Sequence, residues 1–102
     1  MFEWDNKKAE QNLQKHGISF DEATTCFEDG KIFMHHDVAH SELEDRYFAI
    51  AKCTKDKILA LVFTIRRNEY GEKIYRIISA RLASKEEREI RSGQPDRLLR
   101  HP

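Results

Sequence analysis

"ILALVFTIR", residues 58–66, decides the fold. In an extended chain Leu59, Leu61, Phe63 and Ile65 face one way, and Ala60, Val62, Thr64 and Arg66 face the other. Both faces are apolar in the middle, the pattern of a strand covered at least partly on both sides. The stretch therefore reads as the central strand of a sheet, with Arg66 emerging at its end. Before it, "TKDK" is a turn from a second β-rich run, Arg46–Cys53. After it, "RNEYGE", with Gly71, is a hairpin loop into a third strand, Lys73–Ala80. Turns this short between successive strands require antiparallel pairing.

Outside this sheet the period changes. Asp5 is placed as an N-cap, and Ala9, Asn12, Leu13 and His16 then fall on one helical face, with Gly17 as the stop. "SFDE" reads as a capping box in which Ser19 caps and Glu22 reaches back. It opens a helix over about 20–28 with Phe20, Ala23, Thr24 and Phe27 as its buried face. "FEW", residues 2–4, is a short strand, Ile32–Met34 another, and "HHDVAHSELED" a polar loop. "SKEE", residues 84–87, is a second capping box, and its helix runs to about Arg91, ended by Gly93 and Pro95. The expected architecture is α+β: a short N-terminal strand, two helices, an antiparallel sheet of three to four further strands and a C-terminal helix. It forms one domain over 1–93, with a flexible tail over 94–102.

The chain has 102 residues, 35% of them charged, with a formal net charge of zero. That zero hides a split. Residues 1–56 hold 7 Lys and Arg against 12 Asp and Glu, and residues 57–102 hold 11 against 6. An arginine-rich half hints at a polyanion or an acidic partner, or is an unevenly charged solvated surface. Cys26 and Cys53 match no metal spacing and read as buried free thiols in a reducing compartment. With no apolar run of membrane length and no signal-peptide stretch, a cytoplasmic location is expected.

The strand "YRIISAR", residues 75–81, carries two guanidinium groups. If it is regular, Arg76, Ile78 and Ala80 share one face, and Tyr75, Ile77, Ser79 and Arg81 share the other. Arg66 then clusters with Arg76 or with Arg81, and only a bulge or the strand's end brings both to one side. Surface pairing with acids such as Glu69, Glu72 or Glu87 is the commoner fate of such arginines.

"FEWDNKKAEQNLQKHGISFDEA", "TIRR" and "YRIISARLASKEERE", in this order, resemble the BrnT family of toxins from bacterial toxin–antitoxin pairs. The matching residues include Trp4-Asp5, Lys8, Asn12, Lys15-His16-Gly17, Phe20, Thr64-x-Arg66 and Arg76 through Arg81. The resemblance implies a RelE-like fold and a metal-independent ribonuclease that inhibits translation. It implies RNA as substrate and neutralisation by a BrnA-type ribbon-helix-helix antitoxin encoded nearby, in a hetero-oligomer that reaches DNA only through the antitoxin. This chain lacks the Tyr often found near the end of the last helix, having "EIRSG" there, and its 31–45 segment is rich in histidine. An alternative function is a non-catalytic, degenerate toxin that binds its antitoxin in operator autoregulation.

Under that resemblance Arg66, Arg81 and Arg76 are the candidate catalytic cations, since the transition state of RNA cleavage gathers charge on phosphoryl oxygens. His16 is a candidate proton-transfer group, although a histidine in a last helical turn commonly serves the helix end. Lys8, Lys15, Arg46 and Thr64 are candidate substrate contacts. Trp4 is a candidate base-stacking residue, against the commoner core role of a lone Trp. His35, His36, Asp37 and His40 read as an exposed polar loop. No Cys-x-x-Cys or helical His-x-x-x-His completes a metal set there, and RNA contact or proton transfer from His40 is the minor reading. No cofactor is expected.

Overall fold

Capping side chains start each helix where the sequence places it. The computed structural model describes residues 1–40 and 44–93, so the expected tail over 94–102 lies outside the described residues. Helix α1, Asn6–His16, begins at Asp5, whose carboxylate accepts the Lys8 amide at 2.9 Å. It ends at Gly17, with φ of 71°, where a side chain would strain the backbone. Helix α2, Phe20–Thr24, begins at Ser19, whose hydroxyl accepts the Glu22 amide at 3.0 Å. The return bond of the expected capping box is absent, because the Glu22 carboxylate instead holds Lys57 at 2.7 Å. The last turn of the expected 20–28 helix tightens to a 3-10 turn, Thr25–Glu28. Helix α3, Lys85–Arg91, has its full capping box from Ser84 and Glu87.

The strands are β1 (Phe2–Glu3), β2 (Phe33–His36), β3 (Asp45–Lys52), β4 (Ile58–Arg67) and β5 (Lys73–Leu82). They form one sheet in the order β1-β5-β4-β3-β2, with β4 at its centre as its two apolar faces require. Strands β2 to β5 pair antiparallel with their neighbours, and β1 adds to β5 in parallel. The loop expected over 35–45 is shorter than its composition suggests. His35 and His36 belong to β2, and Val38–His40 form a 3-10 turn.

One irregularity re-aims half of β5. Val62 pairs with Ser79 but Phe63 pairs with Ile77, so Ile78 is an extra residue opposite β4. Such a bulge reverses side-chain parity beyond it. Ala80 therefore faces the core opposite Leu61, and Arg81 lies opposite Ala60. This corrects the regular-strand expectation: Arg66, Arg76 and Arg81 all stand on one face.

The other face carries the main core. Ala49, Ala51, Leu59, Leu61, Phe63, Ile77 and Ala80 pack with Ile18, Phe20, Ala23 and Cys26 from the helical segment. Phe20, Phe63, Leu59 and Leu61 are each at most 1% exposed, worth about 1.5–3 kcal/mol apiece in burial. Leu13, expected on the buried stripe of α1, is 50% exposed, and the buried residue of that helix is Asn12. The Asn12 amide group donates to the carbonyls of Ala80 (2.8 Å) and Ile18 (3.0 Å), and its oxygen accepts the Ala80 amide (3.1 Å). Asn12→Ala leaves these three buried backbone groups unpaired. At about 1–3 kcal/mol per group, a loss of about 3 kcal/mol or more is expected in urea unfolding. Asn12→Asp should fare little better, since a carboxylate cannot donate to two carbonyls.

Helix α3 is tied down by charge. Arg91 donates Nε and Nη2 to Asp29 at 2.8 and 2.9 Å, with both side chains no more than 10% exposed. Asp29 also accepts the amides of Lys52 and Lys31. The Arg91 bond, opposed by burial and helped by these amides, holds the Asp29 carboxyl well below the usual carboxylate range. Its folded-state value lies below the unfolded one. Its stabilisation is therefore complete above about pH 4 and lost as the pH falls further. Arg91→Ala should cost about 3–5 kcal/mol at neutral pH, and Asp29→Asn should flatten the acid limb of stability against pH. Urea midpoints measured across pH read both.

Candidate functional site

On the face away from the main core, register builds one row across four strands. Arg46 on β3 lies opposite Thr64 on β4, Thr64 opposite Arg76 on β5, and Arg76 beside Glu3 on β1. Two arginines thus flank a threonine, two strand spacings or about 10 Å apart. The row floors a cleft of about 510 Å³. Lys8 of α1, Ala39 and His40 of the 3-10 turn, Glu44 and the bulge residue Ile78 complete its lining.

Thr64 is 7% exposed, and its hydroxyl oxygen has no hydrogen-bond partner among the described residues. A buried hydroxyl is normally satisfied, so Thr64 is a costly position in the floor of the cleft.

Glu3 positions the cations. Its carboxylate accepts Arg66 Nη2 at 2.9 Å and Nε at 3.3 Å, and Arg76 Nη1 at 3.1 Å. The Arg66 bond, against partial burial and with help from Arg76, lowers the Glu3 pKa, so it stays ionised. Arg66 is raised in turn, chiefly by the Glu3 bond, with a smaller contribution from the Glu44 charge. Arg66 therefore stands at the margin of the cleft. Among the described residues here, Lys8, Arg46, Arg66 and Arg76 outnumber the carboxylates Glu3, Glu44 and Asp37.

Of the residues singled out from sequence, the cleft gathers Lys8, Arg46, Thr64 and Arg76, with Arg66 adjoining. Arg81 shares their face but does not line the cleft. Its guanidinium is held by both oxygens of Glu87, at 2.7 and 2.9 Å, one of the acids the sequence offers it. That bond, against burial, depresses Glu87 to about 2. Trp4 packs edge-on against Phe20 at 5.9 Å and lines a separate depression on the α1–α2 side. Lys15 and His16, in the last turn of α1, are outside the cleft. Glu3, Ile78 and Glu44 were not anticipated. For Glu3 the signal is weak: an acid in a two-residue strand whose neighbour, β5, is distant in sequence.

Among the described residues no group of three or more His, Cys, Asp or Glu is arranged to hold a metal ion. No described helix is long and apolar enough to cross a membrane.

A small α+β scaffold with a cationic cleft on its open sheet face has the chemistry that suits an anionic ligand. A family model described as the ribonuclease toxin BrnT of type II toxin–antitoxin systems matches residues 4–87, and the chain belongs to that family. Its fold is similar to the 1.1 Å crystal structure of the Brucella abortus ribonuclease toxin BrnT. Sequence identity is 26% and the TM-score 0.61, over 83% of this chain and 99% of that one. A comparison with curated proteins gives no match. Membership of this family implies an RNA substrate and an antitoxin partner.

The orphaned hydroxyl gives a prediction independent of activity. Burying a hydroxyl without a partner costs about 1–3 kcal/mol. Thr64→Val keeps the shape and removes that cost, so its urea midpoint should equal or exceed that of the parent. A drop of more than about 1 kcal/mol would show that the hydroxyl has a partner in the folded protein.

Proposed function

We propose that the chain is a metal-independent endoribonuclease that cleaves RNA in the Arg46–Thr64–Arg76 cleft and thereby inhibits translation. The supporting observation is the cross-strand row itself, two arginines set on either side of Thr64. One phosphodiester spans that gap, with its non-bridging oxygens facing donors fixed to a rigid sheet. Arg66, fixed by Glu3, stabilises charge as it develops on the phosphoryl oxygens. Lys8 contacts the backbone from α1. Arg81 lies further along the same face and meets the flanking strand of RNA. The 2′-hydroxyl attacks its own phosphate, so the products are a 2′,3′-cyclic phosphate and a 5′-hydroxyl.

The toxin domain spans 1–93, and its place of action is the cytoplasm. Its partner is a BrnA-type ribbon-helix-helix antitoxin that covers the cleft with acidic side chains. The DNA contacts of the hetero-oligomer come from that antitoxin, because its acidic side chains occupy the arginine face of the toxin.

The free chain should cleave single-stranded RNA in the presence of EDTA. Arg76→Ala and Arg66→Ala should each lose roughly 10²–10³ in rate, the scale of one oxyanion donor. Arg81→Ala should raise KM more than it lowers kcat. Adding the product of a neighbouring reading frame should give a sized complex without cleavage. Activity abolished by chelator and restored by zinc would defeat the metal-independent reading.

A further inference from the structure

The row supplies cations and a hydroxyl but no group that takes a proton near neutrality. Four histidines lie among the described residues, at 16, 35, 36 and 40. His16 ends α1 outside the cleft. His35 lies on β2 opposite Phe48 and does not line the cleft. His36 stacks on Tyr47, with ring centroids 4.7 Å apart, and approaches Asp45 at 3.4 Å. His40 alone lines the cleft, with Lys8, Glu44, Arg46, Thr64 and Arg76.

Its placement is built. The 3-10 turn Val38–His40 folds back on β3 because the Asp37 amide donates to the Arg46 carbonyl at 2.8 Å. The His40 amide then closes the turn onto the Asp37 carbonyl. The same Asp37 bonds His40 Nδ1 through its carboxylate at 2.9 Å. With Nδ1 engaged as a donor, the neutral ring presents Nε2 as the acceptor. A carboxylate on one nitrogen and an acceptor on the other is the arrangement of an oriented general base.

We propose that His40 is the catalytic base of this ribonuclease and that Asp37 is its positioning residue, an assignment that rests on the cleft's being the RNA-cleaving site. His40 Nε2 takes the 2′-hydroxyl proton as the 2′-oxygen bonds to phosphorus. The bond from phosphorus to the 5′-oxygen breaks, and that oxygen takes a proton from water. The imidazolium returns its proton to the hydroxide so formed, and no proton is gained or lost overall. Among the described residues, the charged groups beside the ring are the carboxylates of Asp37 and Glu44 and the cations of Lys8, Arg46 and Arg76.

The His40 side chain is 70% exposed, so its replacement leaves the core untouched. The test is kcat and KM against pH for the full chain on one defined RNA oligonucleotide. The parent is compared with His40→Ala, His40→Gln, Asp37→Asn and Arg76→Ala. His40→Ala and His40→Gln should lose roughly 10²–10⁴ in kcat at little change in KM, and lose the ascending limb of the profile near neutrality. Added imidazole should restore part of the His40→Ala rate. Asp37→Asn should lower kcat at little change in KM, since the ring loses the carboxylate that fixes its tautomer and orientation. A role for the pair in bracing the turn alone would move unfolding midpoints and leave the profile unchanged. If the parent cleaves, Arg76→Ala is impaired and His40→Ala keeps its rate within threefold with the same profile, the assignment of the base is wrong and the cleft stands. If the parent cleaves no RNA, the function and the base are both overturned.

Discussion

Asn12 is the joint on which the rest of the structure turns. Strand β1 pairs with β5 only as far as Arg76, and a few residues later the outer edge of β5 would be bare. The Asn12 side chain takes over there. It gives Ala80 one donor and one acceptor, as a neighbouring strand would, from a helix. Its third bond, to the Ile18 carbonyl, holds the α1–α2 connection in the same grip. A 7% exposed amide with every bond made is stabilising, whereas one left with an open group would be a liability. By fixing α1 to the strand edge, Asn12 also sets where Lys8, one turn earlier, meets the cleft.

The bulge at Ile78 works with that joint. Without it, either Arg76 or Arg81 would point into the core, a cost that ion pairing inside a low-dielectric interior rarely recovers. With it, all three arginines stand on the open face, each paired with an acid. Glu3 serves Arg66 and Arg76 together, and Glu87 serves Arg81. Sharing one carboxylate between two guanidiniums holds both in place and leaves them together net positive. That is preorganisation for an anion: the donors are fixed before the ligand arrives, yet their charge is only partly met.

Local periodicity carried most of the fold. Strand β4, expected over 58–66, runs 58–67, and all three helices begin at the caps their sequences mark. These features depend on neighbours within a few residues, which a linear reading sees. The bulge, the parallel addition of β1 and the Glu3 pairing depend on contacts made across the chain. They decide which arginines meet, so the site was legible as a set of residue types and not as a constellation. Lys8, Arg46, Thr64 and Arg76 were named without a way of knowing that register would align three of them. The histidine-rich segment has the composition of an exposed loop, and the Arg46 carbonyl that anchors its turn beside the cleft has no sequence signature.

The charge split between the two halves has a different meaning from the one composition suggests. Arg66 and Arg76 from the basic half find Glu3 in the acidic half, Lys57 finds Glu22, and Arg91 finds Asp29. Each pair closes a long loop, and two of them include a carboxylate that is at least nine-tenths buried. Removing a partner from such a charge is severe, so these pairs bind the N-terminal helices and their following turn to strands and helix that come later. Much of the positive excess in residues 57–102 is therefore met inside the molecule. Lys8 and Arg46, which line the cleft, belong to the half whose composition is acidic. A polyanion meets the charge that register leaves on one face, whatever the balance of either half of the chain.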